Sequence, residues 1–217
     1  MKEHLSKLIA LTFGFVTASA SSQTLNWSSL TGSQIVDSQG AALDNTYIFE
    51  LGAFDVGFTP NDSNLGDWGS EWHVFDTAAY SYNSQAGGYF TGTANLQDVA
   101  DYDSIFQGLS AYIWIRNTSN TEYFLATATA KPGVAAWKFP TLDPNCCANG
   151  DVTTWSVSNL GTDTPVWGSQ LDHHSGGVYD GAGGPYDLQT HVVPEPSGSV
   201  LALLGGCICL IRRRKQE

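Results

Sequence analysis

The sequence predicts an all-β body, a single β-sandwich or jelly-roll-like domain, on three observations. Apolar and polar residues alternate with period two in several short stretches. Gly, Asn, Asp, Ser and Pro collect between those stretches, as turn chemistry requires. Charged residues are only 14% of the chain and aromatics 12%, the wrong composition for a bundle rich in Ala, Glu, Lys and Leu. The 217 residues suit one domain. With both ends set aside, residues 21–192 form a body able to bury roughly 70% of its unfolded surface.

The elements follow in order. Residues 46–54 (TYIFELGAF) form a clear strand, and 71–82 (EWHVFDTAAYSY) a longer one broken by small residues. Residues 88–96 (GYFTGTANL) make the next. One short helix is expected around 96–106 (LQDVADYDSIF), with Val99 and Ile105 as its core contacts. Residues 111–116 (AYIWIR) and 122–129 (EYFLATAT) flank the polar turn 117–121 and make the best hairpin in the chain. Further strands are expected at 134–139 and 152–157, and a last one returns within 186–193. Long loops fall at 59–70, 140–151 and 162–184. The last contains GGVYD at 176–180 and GGPYD at 183–187. This echo differs from the nine-residue calcium repeat of parallel β-helices and reads as turn-rich loop.

The two ends read as addresses. Residues 1–20 have the order of a secretory signal peptide: Lys2 and Lys7, then the apolar run 8–16, then Ala18-Ser19-Ala20 as the A-x-A cleavage site, with Ala18 and Ala20 the small residues that matter. At the other end, Val193-Pro194-Glu195-Pro196 precedes the apolar run 199–211 (SVLALLGGCICLI) and then Arg212, Arg213, Arg214 and Lys215. The two prolines hold their neighbours extended and stop any helix at the motif. Thirteen apolar residues give about 20 Å of helix, short of the roughly 30 Å of a bilayer core. The basic cluster stays cytoplasmic by the positive-inside rule, so the body lies outside.

These residues resemble the PEP-CTERM sorting signal of Gram-negative bacteria. The resemblance covers roughly residues 193–215, with Val193, Pro194, Glu195 and Pro196 carrying the motif and Arg212, Arg213 and Arg214 the stop. It implies an inner-membrane precursor made by the secretion machinery, transient insertion through the tail, cutting by an exosortase-type membrane peptidase, and delivery to the cell surface or extracellular matrix. Such tails sit on many unrelated bodies, so the resemblance speaks to route and not to activity. In the body, the segments Gly108-Leu109, 112–117 (YIWIRN) and 137–140 (WKFP) resemble secreted β proteins with this kind of tail.

Charge narrows the partners. Residues 21–193 carry 18 acidic and 3 basic side chains, a formal −15, which argues against nucleic acid. For catalysis the signals are weak. There is no G-x-S-x-G elbow. His73 alternates within a strand; His173-His174 has no second ligand pair at zinc spacing, and His191 stands alone. The body's three glutamates, Glu50, Glu71 and Glu122, show no dense glycosidase pattern. Calcium is the more credible ion, with Asn61, Asp62, Asn64 and Asp67 in one loop and Asp98, Asp101 and Asp103 in another. EF-hand spacing fails in both, and solvated turn carboxylates are the preferred reading. Cys146-Cys147 is too close for an ordinary disulfide, and Cys207 and Cys209 lie in the tail.

Of the seven tryptophans, Trp114, Trp137 and Trp155 are expected in the core. Trp68 and Trp72, beside Asp67 and Glu71, are the positions where a sugar ring could stack, against the plainer reading of packing at a strand edge. The functional expectation is a secreted, surface-sorted, non-catalytic protein with a structural or adhesive role in an exopolysaccharide matrix. The alternatives are a carbohydrate-binding module and a secreted glycan-active enzyme.

Overall fold

A computed structural model of the chain describes residues 23–30, 33–83, 87–142, 151–161, 163–170 and 187–194. Residues 1–20, expected as a signal peptide, Cys146 and Cys147, His173 and His174, the glycine echo and the residues beyond Pro194, with the apolar run and Arg212 to Arg214, lie outside them. Among the described residues no helix is long and apolar enough to cross a membrane.

The all-β expectation holds. Eleven strands are described: β1 (Gln23–Ser28), β2 (Ile35–Val36), β3 (Tyr47–Phe54), β4 (Trp72–Asn83), β5 (Gly87–Asn95), β6 (Tyr112–Asn117), β7 (Glu122–Ala126), β8 (Asp151–Ser156), β9 (Ser169–Gln170), β10 (Leu188–Gln189) and β11 (His191–Val192). Eight of them form one curled sheet in the order β11-β7-β6-β3-β4-β5-β1-β8. Its pairs are antiparallel except β1 and β8, which run parallel. The small strands β2, β10 and β9 make a second sheet.

The curl has a local cause. β4 pairs with β3 from Trp72 to Ala78, then with β5 from Ala79 to Asn83. β5 in turn passes from β4 to β1 at Thr91. The register between β3 and β4 slips at Leu51/Gly52, leaving Phe75 as an extra residue, and such a bulge increases twist.

Strict alternation fills one face of the sheet. Leu25 and Trp27 of β1, Phe49, Leu51 and Ala53 of β3, Phe90 of β5, Ile113 and Ile115 of β6, and Phe124 and Ala126 of β7 are all buried in the main core. At position 92 of β5 this face has room only for glycine: a Cβ on Gly92 would stand 2.1 Å from Trp27 Nε1 and 2.6 Å from Asp76 Oδ2. That space lets Trp27 Nε1 donate to Asp76 Oδ2 at 2.7 Å.

Three expectations are refined. The stretch 96–106 is two short turns, a 3-10 helix at Leu96–Asp98 and α2 (Tyr102–Ile105), separated by Asp101 at φ 55. Val99 is already extended at φ -83 and ψ 121, and Asp tolerates the left-handed conformation that follows, so the two together interrupt the helix. Leu96, Tyr102 and Phe106 are the deeply buried contacts there, with Val99 and Ile105 packed at the margin. The stretch 134–139 is not a strand. It follows a Pro132-Gly133 turn closed by Lys131 N–H to the Val134 carbonyl at 3.0 Å, and it buries Trp137 and Phe139 as a loop. β1 lies outside the strands expected from the sequence, although its Leu25/Trp27 alternation is plain. The hairpin β6–β7 forms as expected, its turn held by Asn117 Oδ1 accepting from Thr121 N–H at 2.8 Å and by Asn120 at φ 55.

Candidate functional site

The outer face of the curled sheet is divided in two. Over β3, β6 and β7 it is covered. The segment 55–71 folds across it through a 3-10 helix (Asp62–Asp67) and the single turn α1 (Trp68–Glu71). Asn61 caps the first turn, its Oδ1 accepting from Ser63 N–H at 3.0 Å, while Asn64 Oδ1 accepts from Asn61 N–H at 2.8 Å. Asn64 Oδ1 also accepts from Trp68 Nε1 at 2.9 Å. Asn61 and Asn64 of this loop are thus engaged in making turns.

Trp68 is consequently 0% exposed. It meets Trp114 edge-on at 5.9 Å and lies nearly parallel to Tyr123 at 6.1 Å, in a second core with Phe54, Trp114 and Leu125. This corrects the expectation that Trp68 could present a ring face to a sugar: the loop that carries it uses it to seal the sheet. Trp72, half-buried, stands edge-on to Trp114 at 5.3 Å and donates from Nε1 to Glu50 Oε2 at 3.1 Å. Packing at a strand edge is the reading that fits both rings.

Glu50, 5% exposed, is the charged centre of this covered half. Arg116 donates to it twice, Nη2 to Oε1 at 2.8 Å and Nε to Oε2 at 3.3 Å. The Arg116 guanidinium lies 5.5 Å from the Trp114 ring centre, and its Nη1 donates to Asn120 Oδ1 at 2.9 Å. Glu122 is a second carboxylate hub at the β7 edge. Its oxygens accept from Ser38 Oγ, Tyr47 hydroxyl and Thr190 Oγ1, each at 2.8 Å, and from Ser38 N–H at 3.2 Å. Burial pushes the Glu122 carboxyl up, but the hydrogen bonds from Ser38, Thr190 and Tyr47 outweigh it and hold the group below its ordinary value. Burial, helped by the hydrogen bond to Glu122, raises the Tyr47 phenol. Both carboxylates serve the fold.

The acidic loops do not converge. Asp98 Oδ2 accepts from Asn95 Nδ2 at 3.0 Å, and Ser104 Oγ donates to the Asp101 carbonyl at 3.0 Å. Asp101 and Asp103 line the rim of an open cleft of about 330 Å3 with Leu96, Tyr102 and Leu142. Among the described residues no group of three or more His, Cys, Asp or Glu side chains is placed to hold a metal ion. His73 pairs with Asp55 at 2.6 Å on the surface, and His191 Nε2 lies 3.1 Å from Ser169 Oγ. Of the residues expected to carry a sorting motif, Val193 and Pro194 are described: Val193 N–H donates to the Thr121 carbonyl at 2.7 Å, directly after β11.

Over β4, β5, β1 and β8 no segment among the described residues folds across the outer face, whose side chains are half-buried to exposed. Alternation turns Leu25, Trp27, Phe90 and Trp155 inward and therefore the intervening residues outward. These are Thr24, Asn26 and Ser28 on β1; Tyr89, Thr91, Thr93 and Asn95 on β5; Val152, Thr154 and Ser156 on β8; and Thr77, Ala79 and Ser81 at the near end of β4. The registers align them in rows: Thr24 with Asn95 and Val152, Asn26 with Thr93 and Thr154, Ser28 with Thr91 and Ser156. Two cross-strand bonds fix the surface, Thr24 Oγ1 to Asn95 Oδ1 and Thr93 Oγ1 to Asn26 Oδ1, both 2.9 Å. None of these side chains is ionisable below the tyrosine range, on a chain of net charge −12. Thr91, Thr93 and Thr154 are exposed, and Tyr89 is 39% exposed at the end of β5. Period-two reading of 24–28 beside 91–95 was the signal that could have found this face.

Comparison with protein-family models, with curated proteins and with solved structures finds no match to this chain.

Proposed function

We propose that the chain is an exported structural or adhesive protein of the bacterial cell-surface matrix, with a sandwich-like β body sorted through a PEP-CTERM tail. The observation that carries the adhesive part is the open, uncharged face of hydroxyls and amides on an otherwise acidic body. Hydrated uncharged polymers meet such a face without the repulsion that the body's −15 would impose on another polyanion. The route rests on the order of elements at the two ends: a leader ending in Ala18-Ser19-Ala20, and a Pro194-Glu195-Pro196 motif before a short apolar run and arginines.

Two measurements on the native host test this reading. Mass spectrometry of the surface and extracellular fractions should find a chain from about Ser21 to the neighbourhood of 193–196. Peptides containing Arg212 in those fractions would refute the tail's removal. The mature protein should also be retained by isolated extracellular matrix, and free passage through that material would refute adhesion.

A further inference from the structure

The open half of the outer face, rather than the Trp68–Trp72 region, is where we propose that the protein binds a neutral, extended polysaccharide chain. The inference rests on the adhesive reading and adds to it a site and a ligand class.

Three properties of the face select that ligand. The first is charge. No side chain on the outward rows of β8, β1 and β5 is ionised at neutral pH. An anionic polymer finds no cation there and a body of −15 around it, and a nucleic acid is excluded on the same ground. A neutral chain experiences neither attraction nor repulsion at long range.

The second is the supply of hydrogen-bonding groups. In each fixed pair the threonine hydroxyl donates to the asparagine Oδ1. Each threonine oxygen therefore keeps its acceptor lone pairs, and Asn26 keeps an NH2 to donate. Sugar hydroxyls both donate and accept, so they match this mixture; an apolar protein surface does not. Because the groups are already held across strands, little side-chain entropy is lost on binding.

The third is shape. Outward positions repeat about every 6.7 Å along a strand and about every 4.8 Å between strands. Along Thr91, Thr93 and Asn26 the side chains are short, so an elongated ligand can lie close to the sheet. Tyr89, on the same side of β5 two residues before Thr91, offers the one aromatic ring of these rows and can stack on a sugar at the end of the track.

The test uses the mature secreted protein and measures retention on insoluble neutral glycans (cellulose, starch granules and a galactan) beside the polyanion alginate. The wild type should be retained on at least one neutral glycan, with an affinity that does not fall as salt rises. Thr91→Val combined with Thr93→Val keeps β-branched side chains and removes two hydroxyls; retention should drop about tenfold, as should that of Tyr89→Ala. Val56→Thr, at a position 83% exposed in the 55–71 segment, should bind as wild type. Circular dichroism melting of each variant establishes that it is folded. If the double variant melts early, Thr91→Ser combined with Thr93→Ser, which keeps both hydroxyls, should bind as wild type where it folds. Undiminished binding by a folded Thr91→Val/Thr93→Val protein, retention on alginate only, or no retention on any glycan overturns the site. If native matrix still holds the wild type in those cases, the adhesive reading survives the loss of the site; if the matrix releases it, the adhesive reading falls as well.

Discussion

Replacing Arg116 by Leu should destabilise the protein through Glu50. The Glu50 side chain is 7% exposed and that of Arg116 23%, and the guanidinium makes both of its carboxylate contacts from one side. Without Arg116 the carboxylate remains on the covered half of the sheet with the Trp72 indole N–H as its remaining donor among those described. Breaking a buried ion pair by removing one partner costs about 3–5 kcal/mol. Arg116 is partly in water, which argues for the lower end, roughly 3 kcal/mol, and the loss of its contact with Trp114 adds about 0.5–1 kcal/mol. For a body of this size each kcal/mol lowers Tm by about 2–4 °C, so the combined loss of about 3.5–4 kcal/mol corresponds to a fall of roughly 7–16 °C. The double variant Glu50→Leu/Arg116→Leu removes both charges and should recover most of that loss, because neither is then stranded. Urea denaturation and thermal melting of the four proteins of the cycle measure the coupling. An Arg116→Leu protein within about 0.5 kcal/mol of wild type, or a double variant as unstable as the sum of the singles, would refute the argument that Glu50 is held in place by its partner.

Acid should weaken the fold through Glu122. Its folded-state pKa lies below the ordinary 4.5, so its contribution is present above that value and is lost as pH falls through the lower, folded one. Stability measured from pH 6 downward should therefore decline below about 4.5, and Glu122→Gln should flatten part of that decline; an unchanged acid limb would speak against the hub. Gly92→Ala should cost about 1–3 kcal/mol in urea denaturation, because the new Cβ meets Trp27 Nε1 and Asp76 Oδ2. Trp114, 3% exposed, should cost roughly 3–5 kcal/mol as Ala. Trp114→Phe should cost clearly less, since Nε1 is buried with no hydrogen-bond partner among the described residues, and equal losses for the two variants would contradict this.

Much of the fold could be read from local chemistry, and the particular residues show why. In 46–54 and 111–116, aromatic and β-branched residues form short, nearly continuous apolar runs bounded by turn residues, which marks strands buried on both faces. Asn117 and Asn120 mark the hairpin because their side chains stabilise a turn within a few residues of themselves. Where the reading went astray, local signals had two outcomes. The residues 134–139 have strand-like composition, but their backbone partners lie at Ala128, Leu109 and Ala111, and those contacts make a buried loop instead. The helix expected across 96–106 is interrupted by the extended Val99 and the left-handed Asp101, backbone conformations that no periodicity encodes.

The site was less legible than the fold. Trp68 sits among Gly, Asp and Asn, a context that suggests exposure, yet its burial is decided by Trp114 and Tyr123, brought beneath it from β6 and β7. The open polar face joins residues 24–28, 77–81, 89–95 and 152–156, and only pairing places Thr93 beside Asn26 and Thr154 in one row. By itself the sequence determined the all-β class, the hairpin and the acidity of the body, because each depends on residues close in the chain or on a sum over it. The tertiary structure alone decided which outward faces are covered and which are bare. That depends on which segment folds across which strands, and a segment such as 55–71 finds its partners through packing and hydrogen bonds made far along the chain.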